Sequence, residues 1–256
     1  MKIITLNGAR NVRDLGDTYS KEGKRIRSGV LFRADALNAL DDEDVQTLYD
    51  LDIRTIIDLR TAREVQQKPD RVIEDINYRN IRIFNEERSG VTREHHANLA
   101  DHYRSMPSMT DVYREILTEE HAVKQMGTVL RMIMDEENEP VIFHCTAGKD
   151  RTGLIAMFLL DMLDVDEDTI REDYLMTNLT AVEDAHVFAE RIYAESGDRE
   201  LAERLETAFV AREEYLDTAL KLMKDTCGST ERYMEEKLGI TPEMKEDFRK
   251  RMLEEA

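Results

Sequence analysis

The sequence predicts an α/β core with added helices, on three observations. Short β-branched runs alternate with amphipathic windows through the first 150 residues. Apolar residues then recur at helical spacing almost to the end. Neither an internal repeat nor a low-complexity linker divides the chain, so residues 1–256 read as one domain. A hydrophobic content of 41% can fill its core.

The elements follow in order. Residues 25–33 alternate and read as a strand, with Ser28-Gly29 as a bulge or turn. Asp41 is placed to cap a helix, with Asp44 in its first turn and Val45, Leu48 and Leu51 on its apolar face. Arg54 to Leu59 is a short buried strand and Arg60 to Gln67 a short helix ending before Pro69. Tyr78 to Phe84 alternates and reads as a strand. Val123 to Met134 reads as a helix, and Pro140 begins the strand Val141-Ile142-Phe143. Residues 180–224 form a long helical region broken at Ser196-Gly197-Asp198. Ala185, Phe188, Ala189 and Ile192 share one face, and Leu201, Leu205, Ala208 and Phe209 another.

Composition excludes several classes. No run of 18 apolar residues exists, so stable membrane insertion is not expected. The start Met1-Lys-Ile-Ile-Thr-Leu-Asn lacks the pattern of a Sec signal. Two cysteines favour a reducing, cytoplasmic setting. A net charge of −19 repels nucleic acid and anionic membranes. It also acts against phosphorylated substrates, although screening limits that beyond about 8–10 Å. Any anion site must then be locally basic. Arg54, Arg60, Arg63, Arg79, Arg82 and Arg88 lie near strand ends; most read as solvated or salt-bridged, with one or two left to line a mouth.

His144-Cys145-Thr146-Ala147-Gly148-Lys149-Asp150-Arg151-Thr152-Gly153 carries the chemistry. A thiol and a permanent cation share a loop that opens a helix. The thiolate is the nucleophilic form of cysteine. Arg151, the helix dipole and a concavity of backbone N–H groups, with Gly148 permitting the turn, all favour it. The same donors, from Thr146 to Arg151, suit three phosphoryl oxygens. The Arg151 fork can grip two of them. Thr152 can donate to the sulfur as it leaves a phosphocysteine, and His144 reads as a residue that bonds backbone and holds the loop. The pattern differs from a nucleotide-binding P-loop, because Gly148-Lys149 is followed by Asp150 and no glycine lies five residues before Gly148, which makes an NTPase reading weak. Cys145 alone would read as a buried core thiol; the nine residues beside it change that. Cys227 has no such context.

This loop resembles the signature of the protein-tyrosine phosphatase superfamily. The Ala-Gly-Lys-Asp-Arg-Thr-Gly form is similar to atypical bacterial tyrosine phosphatases related to the secreted mycobacterial tyrosine phosphatase B. Asn11-Val-Arg13-Asp14-Leu-Gly16, Leu31-Phe32-Arg33-Ala-Asp35, Ile57-Asp58-Leu59-Arg60 and Arg212-Glu213-Glu214-Tyr215-Leu216 are similar to further blocks of that group. The resemblance implies a tyrosine-phosphatase-like fold, a mainly parallel central sheet flanked by helices, with residues 180–224 as a helical lid. It implies Cys145 as nucleophile, Arg151 as phosphate clamp, Lys149 as a substrate contact and Asp150 in catalysis or loop structure. Asp150 can also bond Lys149 or loop amides. Relatives supply an aspartate as general acid after a Phe; here the matching position holds Glu86, with Asp58 and Asp150 as competitors and a solvated loop carboxylate as the plainer reading. Substrates would be phosphotyrosine, then phosphoserine/threonine in proteins or phosphoinositides. Neither cofactor nor metal is required, and His95, His96 and His102 read as solvated residues. Some relatives are exported without a signal, which extends to this chain as an expectation. Two rivals remain: a phosphate-binding module with poor turnover, and a redox or sulfur-transfer protein using Cys145.

Overall fold

The computed structural model describes residues 1–85 and 103–255. Its centre is a six-stranded sheet with the order β1-β2-β4-β7-β5-β6. The strands are β1 (Lys2–Ile3), β2 (Arg13–Asp14), β4 (Leu31–Ala34), β5 (Thr55–Asp58), β6 (Asn77–Asn80) and β7 (Val141–His144). β4, β7, β5 and β6 run parallel, and β1 and β2 add an antiparallel edge. The expected α/β class with a mainly parallel sheet is thus observed. A separate ribbon pairs β3 (Arg25–Ile26) with β8 (Leu253–Glu254).

Period-two alternation assigns each central strand two faces. Leu31, Ile57, Val141 and Phe143 face a large core. Phe32, Ala34, Ile56 and Ile142 face a smaller one closed by Leu48 of α1 (Asp42–Asp50). Burying each large apolar side chain contributes roughly 1.5–3 kcal/mol. The expected strand over residues 25–33 divides at Gly29, whose φ of 77° turns the chain between β3 and β4. The strand expected from Tyr78 to Phe84 stops at Asn80, because its partner β5 ends at Asp58 and turns away.

The large core is filled by helices. These are α3 (Met109–Thr118), α4 (Glu120–Ile133), α5 (Asp150–Met162), α6 (Glu167–Leu175), α9 (Glu213–Cys227), α10 (Thr230–Tyr233) and α11 (Pro242–Met252). α5 is buried all round from Arg151 to Leu160, as befits a helix apolar on every face. The short α2 (Ala62–Gln67) follows β5, and Thr61 and Glu64 cap it reciprocally.

α7 (Asn178–Ser196) and α8 (Arg199–Phe209) form a hairpin, turned at Gly197 with φ 70° and capped by Asp198. The expected helical region 180–224 therefore divides. α7 and α8 close a separate small cluster of Tyr103, Ile192, Leu201 and Leu205, whereas α9 lies in the main core.

Register brings three strand ends to one level. Ala34 of β4 and Asp58 of β5 both lie opposite His144 of β7. The turns that follow, from β4, β5 and β7, therefore converge. Clefts at the carboxyl ends of parallel strands are where α/β folds place their ligands.

Candidate active site

The 145–149 loop is shaped from behind. Asn11 Nδ2 donates to Ala147 O at 3.0 Å and to Gly148 O at 3.3 Å, and Arg33 Nη2 donates to Gly148 O at 2.6 Å. Ala36 N donates to Thr146 O at 3.2 Å. A peptide's N–H opposes its C=O, so holding these carbonyls outward turns the amides of Ala147, Gly148 and Lys149 to the concave side. Gly148 has φ 64°, and a Cβ there would lie 2.6 Å from Ala34 O; only glycine fits. No side chain caps the start of α5, so its first amides face the same concavity.

The bracing arginines are themselves held. Asp173 accepts from Arg13 Nε at 2.7 Å and from Arg33 Nη1, while Arg13 Nη1 reaches Asn11 Oδ1 at 2.5 Å. Burial works to raise the Asp173 pKa, but Arg33 and Arg13 outweigh it and keep it low. Burial, then Arg33, lowers Arg13 to about 10. Two guanidiniums against one carboxylate leave one positive charge in excess behind the loop, which favours an anion in front of it.

Cys145 is 3% exposed and belongs to the large core. Arg151 is gripped end-on by Glu64, with Nη1–Oε2 and Nη2–Oε1 both 2.8 Å. Glu64 also accepts from Thr146 Oγ1 at 2.5 Å and from Thr61 N at 2.9 Å. Burial raises its pKa, but Arg151 and these donors prevail and hold it at about 2. Burial likewise lowers the Arg151 pKa, and Glu64 more than reverses this. Glu64 is thus a permanent anion that fixes Arg151 and leaves Nε free of the ion pair. Sequence reading missed it. The available signal was the Thr61-x-x-Glu64 box at the end of a strand beside the loop, which also serves as an ordinary helix cap.

Below the loop, His144, Asp58, Asp70 and Arg60 form a buried polar cluster, with the more exposed Tyr78 at its edge. Arg60 Nη2 is 2.8 Å from Asp58 Oδ2 and 2.8 Å from Asp70 Oδ1. Tyr78 Oη donates to Asp58 at 2.7 Å. Burial raises the Asp58 pKa, but the Arg60 hydrogen bonds and charge prevail and take it below the usual range. Asp58 is therefore an ionised, enclosed acceptor and leaves the field of acid candidates. Arg60 pairs inside this cluster and does not line the mouth. His144 Nδ1 lies 3.2 Å from Cys145 O, as the loop-holding role requires.

On the far side, Asp150 Oδ1 accepts from Tyr113 Oη at 2.9 Å and lies 3.5 Å from Lys149 Nζ. Tyr113 Oη lies 2.7 Å from Tyr174 Oη. Lys149 Nζ donates to Ala208 O at 2.5 Å and Val210 O at 3.3 Å, and sits 5.6 Å over the Tyr215 ring. It points to the end of α8 and ties the hairpin to the loop. Thr152 Oγ1 is buried without a hydrogen-bond partner among the described residues. A cavity of about 330 Å³ separates Thr146 and Ala147 from Ala181, Ala185, Phe188 and Phe209 of the hairpin. Glu86, Arg88, His95, His96 and His102 lie outside the described residues.

The sequence matches the model of the tyrosine phosphatase family over residues 4–254. It is 30% identical to the triple specificity protein phosphatase PtpB of Mycobacterium tuberculosis, covering 91% of this chain and 93% of that one. It is 33% identical to a tyrosine-protein phosphatase of Nostoc commune over 59% of this chain and 49% of that protein. The solved structure of P. aeruginosa TpbA with phosphotyrosine aligns over 59% of this chain and 70% of that one, at 17% identity and a TM-score of 0.33.

Proposed function

The chain belongs to the tyrosine phosphatase family, and from that premise we propose that Cys145 is the nucleophile of a two-step phosphomonoester hydrolysis. The Cys145 thiolate attacks phosphorus in line, the S–P bond forms, and the P–O bond to the leaving group breaks. A general acid protonates the leaving oxygen. Water then attacks phosphorus, the S–P bond breaks, and inorganic phosphate departs. Arg151, through its Nε side, and the amides from Thr146 to Arg151 hold the equatorial oxygens in both steps. Thr152, through its hydroxyl, eases departure of the sulfur. Asp150 anchors Tyr113 and Lys149. Glu86 remains the candidate acid.

One observation carries this reading: Arg151 is fixed by Glu64 beside a loop whose carbonyls are drawn outward. A redox or sulfur-transfer protein has no use for that arrangement. Phosphotyrosine is the first substrate. Phosphoserine/threonine and phosphoinositides follow, because the relative from M. tuberculosis is named for triple specificity. Residues 1–256 are one catalytic domain with the α7–α8 hairpin as its lid. Both cysteines are free, which fits a reducing compartment such as the cytoplasm; signal-less export is carried over from relatives. No described helix is long and apolar enough to cross a membrane.

The decisive experiment compares wild type with Cys145→Ser on an aryl phosphate and on phosphotyrosine. Turnover should fall at least about 10⁴-fold while orthovanadate or phosphate still binds. Tight phosphopeptide binding by wild type without phosphate release would favour the binding module instead. Glu86→Gln should slow alkyl phosphates more than aryl ones; equal slowing removes it as the acid.

A further inference from the structure

We propose that Asp70, from the turn after α2, is a positioning residue that holds His144 as an imidazolium behind Cys145. The proposal rests on Cys145 being the nucleophile. Asp70 touches neither substrate nor sulfur; it acts through its neighbour.

The argument begins with the ring nitrogens of His144, which is fully buried. Nδ1 faces Cys145 O at 3.2 Å. Nε2 faces Asp70 Oδ2 at 3.0 Å and Asp58 Oδ1 at 3.9 Å. All three are acceptors. A neutral imidazole has one N–H and one bare nitrogen, so either tautomer sets a lone pair against another lone pair. Only the doubly protonated ring gives both nitrogens a proton to donate. Nε2 and Oδ2 are out of line for a hydrogen bond as they stand, yet neither has another partner among the described residues. Buried polar atoms left in that state are costly, and a small ring rotation pairs them.

Charge counting agrees. Asp58 and Asp70 together face one guanidinium, that of Arg60. Tyr78 contributes a neutral hydroxyl, and Asp35, at the end of β4, lies within electrostatic reach of His144. The cluster is short of one positive charge, and a proton on His144 supplies it. Asp58, Asp70 and His144 do present three ligand atoms within 4.8 Å. However, Arg60 already bonds both carboxylates, and its positive charge opposes a second cation beside them. Asp70 is also locked in place, because Oδ1 accepts from Leu37 N at 3.1 Å. It thus joins the turns after β4 and β5 to the residue that precedes the nucleophile. The imidazolium fixes the Cys145 carbonyl and places a second cation beside the sulfur.

Asp70→Asn keeps an acceptor for Leu37 and removes the charge. With ¹⁵N-labelled histidine, and the signal assigned by its loss in His144→Asn, wild type should show both His144 nitrogens protonated at neutral pH. The variant should show one bare nitrogen. The acid limb of kcat/KM for an aryl phosphate should move up by about one pH unit, a loss of about tenfold at the acid end and little at the alkaline end. Rate loss uniform across pH, a neutral His144 in wild type, or one equivalent of bound metal by elemental analysis would each overturn the proposal. If Asp70→Asn does not fold, the wild-type spectrum decides alone. Full activity in Cys145→Ser would instead sink the catalytic reading and leave the His144 spectrum still informative.

Discussion

The catalytic loop and the helical hairpin touch across one cavity but are held by opposite means. Every carbonyl from Thr146 to Gly148 has a donor behind it: Ala36 N for Thr146, and for Ala147 and Gly148 the buried side chains of Asn11 and Arg33, the latter held in turn by Asp173. The hairpin packs on itself. Its seam is Ile192, Leu201 and Leu205 with Tyr103, and Phe188 meets Phe209 edge-on at 4.9 Å. Among the described residues its ties to the rest are Lys149 to the end of α8, Tyr215 Oη to Thr207 O at 3.0 Å, Arg204 to Tyr103 O, Arg104 to Asp198 at 3.0 Å, the exposed Arg10–Asp184 pair at 2.7 Å, and Asn178 against Ala211. A loop proposed to hold a developing charge is braced from behind by buried groups, while the hairpin above it rests mainly on its own apolar seam.

The largest effect should come from the braced side. Asp173→Ala leaves Arg13 and Arg33 buried and unpaired, and should cost about 3–5 kcal/mol in denaturant unfolding together with most activity. A loss below 1 kcal/mol would mean that the arginines are not held as drawn. Next comes Glu64. Its folded pKa of about 2 lies below the ordinary 4.5. Its contribution is therefore fully present above the unfolded value and is lost as pH falls towards 2. The contribution is about 3 kcal/mol. Glu64→Gln should flatten the acid-unfolding curve in that window, and kcat should fall as Arg151 loses its guide. An unchanged acid limb would contradict the ion pair.

On the hairpin side, Ile192→Ala should cost about 2–4 kcal/mol locally. Hydrogen exchange should quicken across residues 178–209 while the core keeps its protection; uniform acceleration would show that the two regions unfold as one. Smallest of all is Arg10→Ala, whose pair is more than half exposed on both sides and should be worth under about 1 kcal/mol. A larger loss would make that pair a true anchor of the hairpin.

What the sequence disclosed follows the same division. The proposed catalytic loop stood out in the sequence because its residues are contiguous, and α1 was legible because Asp41 and Asp44 form a capping box within four residues. β5 was legible because a buried parallel strand is a plain apolar run. Glu64 was not, since it meets Arg151 only through the register of β5 against β7. Asp173 was hidden for a similar reason: nothing within α6 announces that its carboxylate faces two arginines from β2 and β4. The overlong β6 came from alternation that continues after its partner strand has ended. Lys149 read as a substrate contact because its neighbours in sequence bind phosphate, whereas its partner in space is the end of α8.

The Asp173 clamp also sets the order in which the protein can become active during synthesis. Asn11, Arg13 and Arg33 leave the ribosome well before Cys145, but the carboxylate that unites them arrives only with α6. A nascent chain halted between those points carries the sulfur without its cradle. Amino-terminal fragments ending short of Asp173 should therefore be inert.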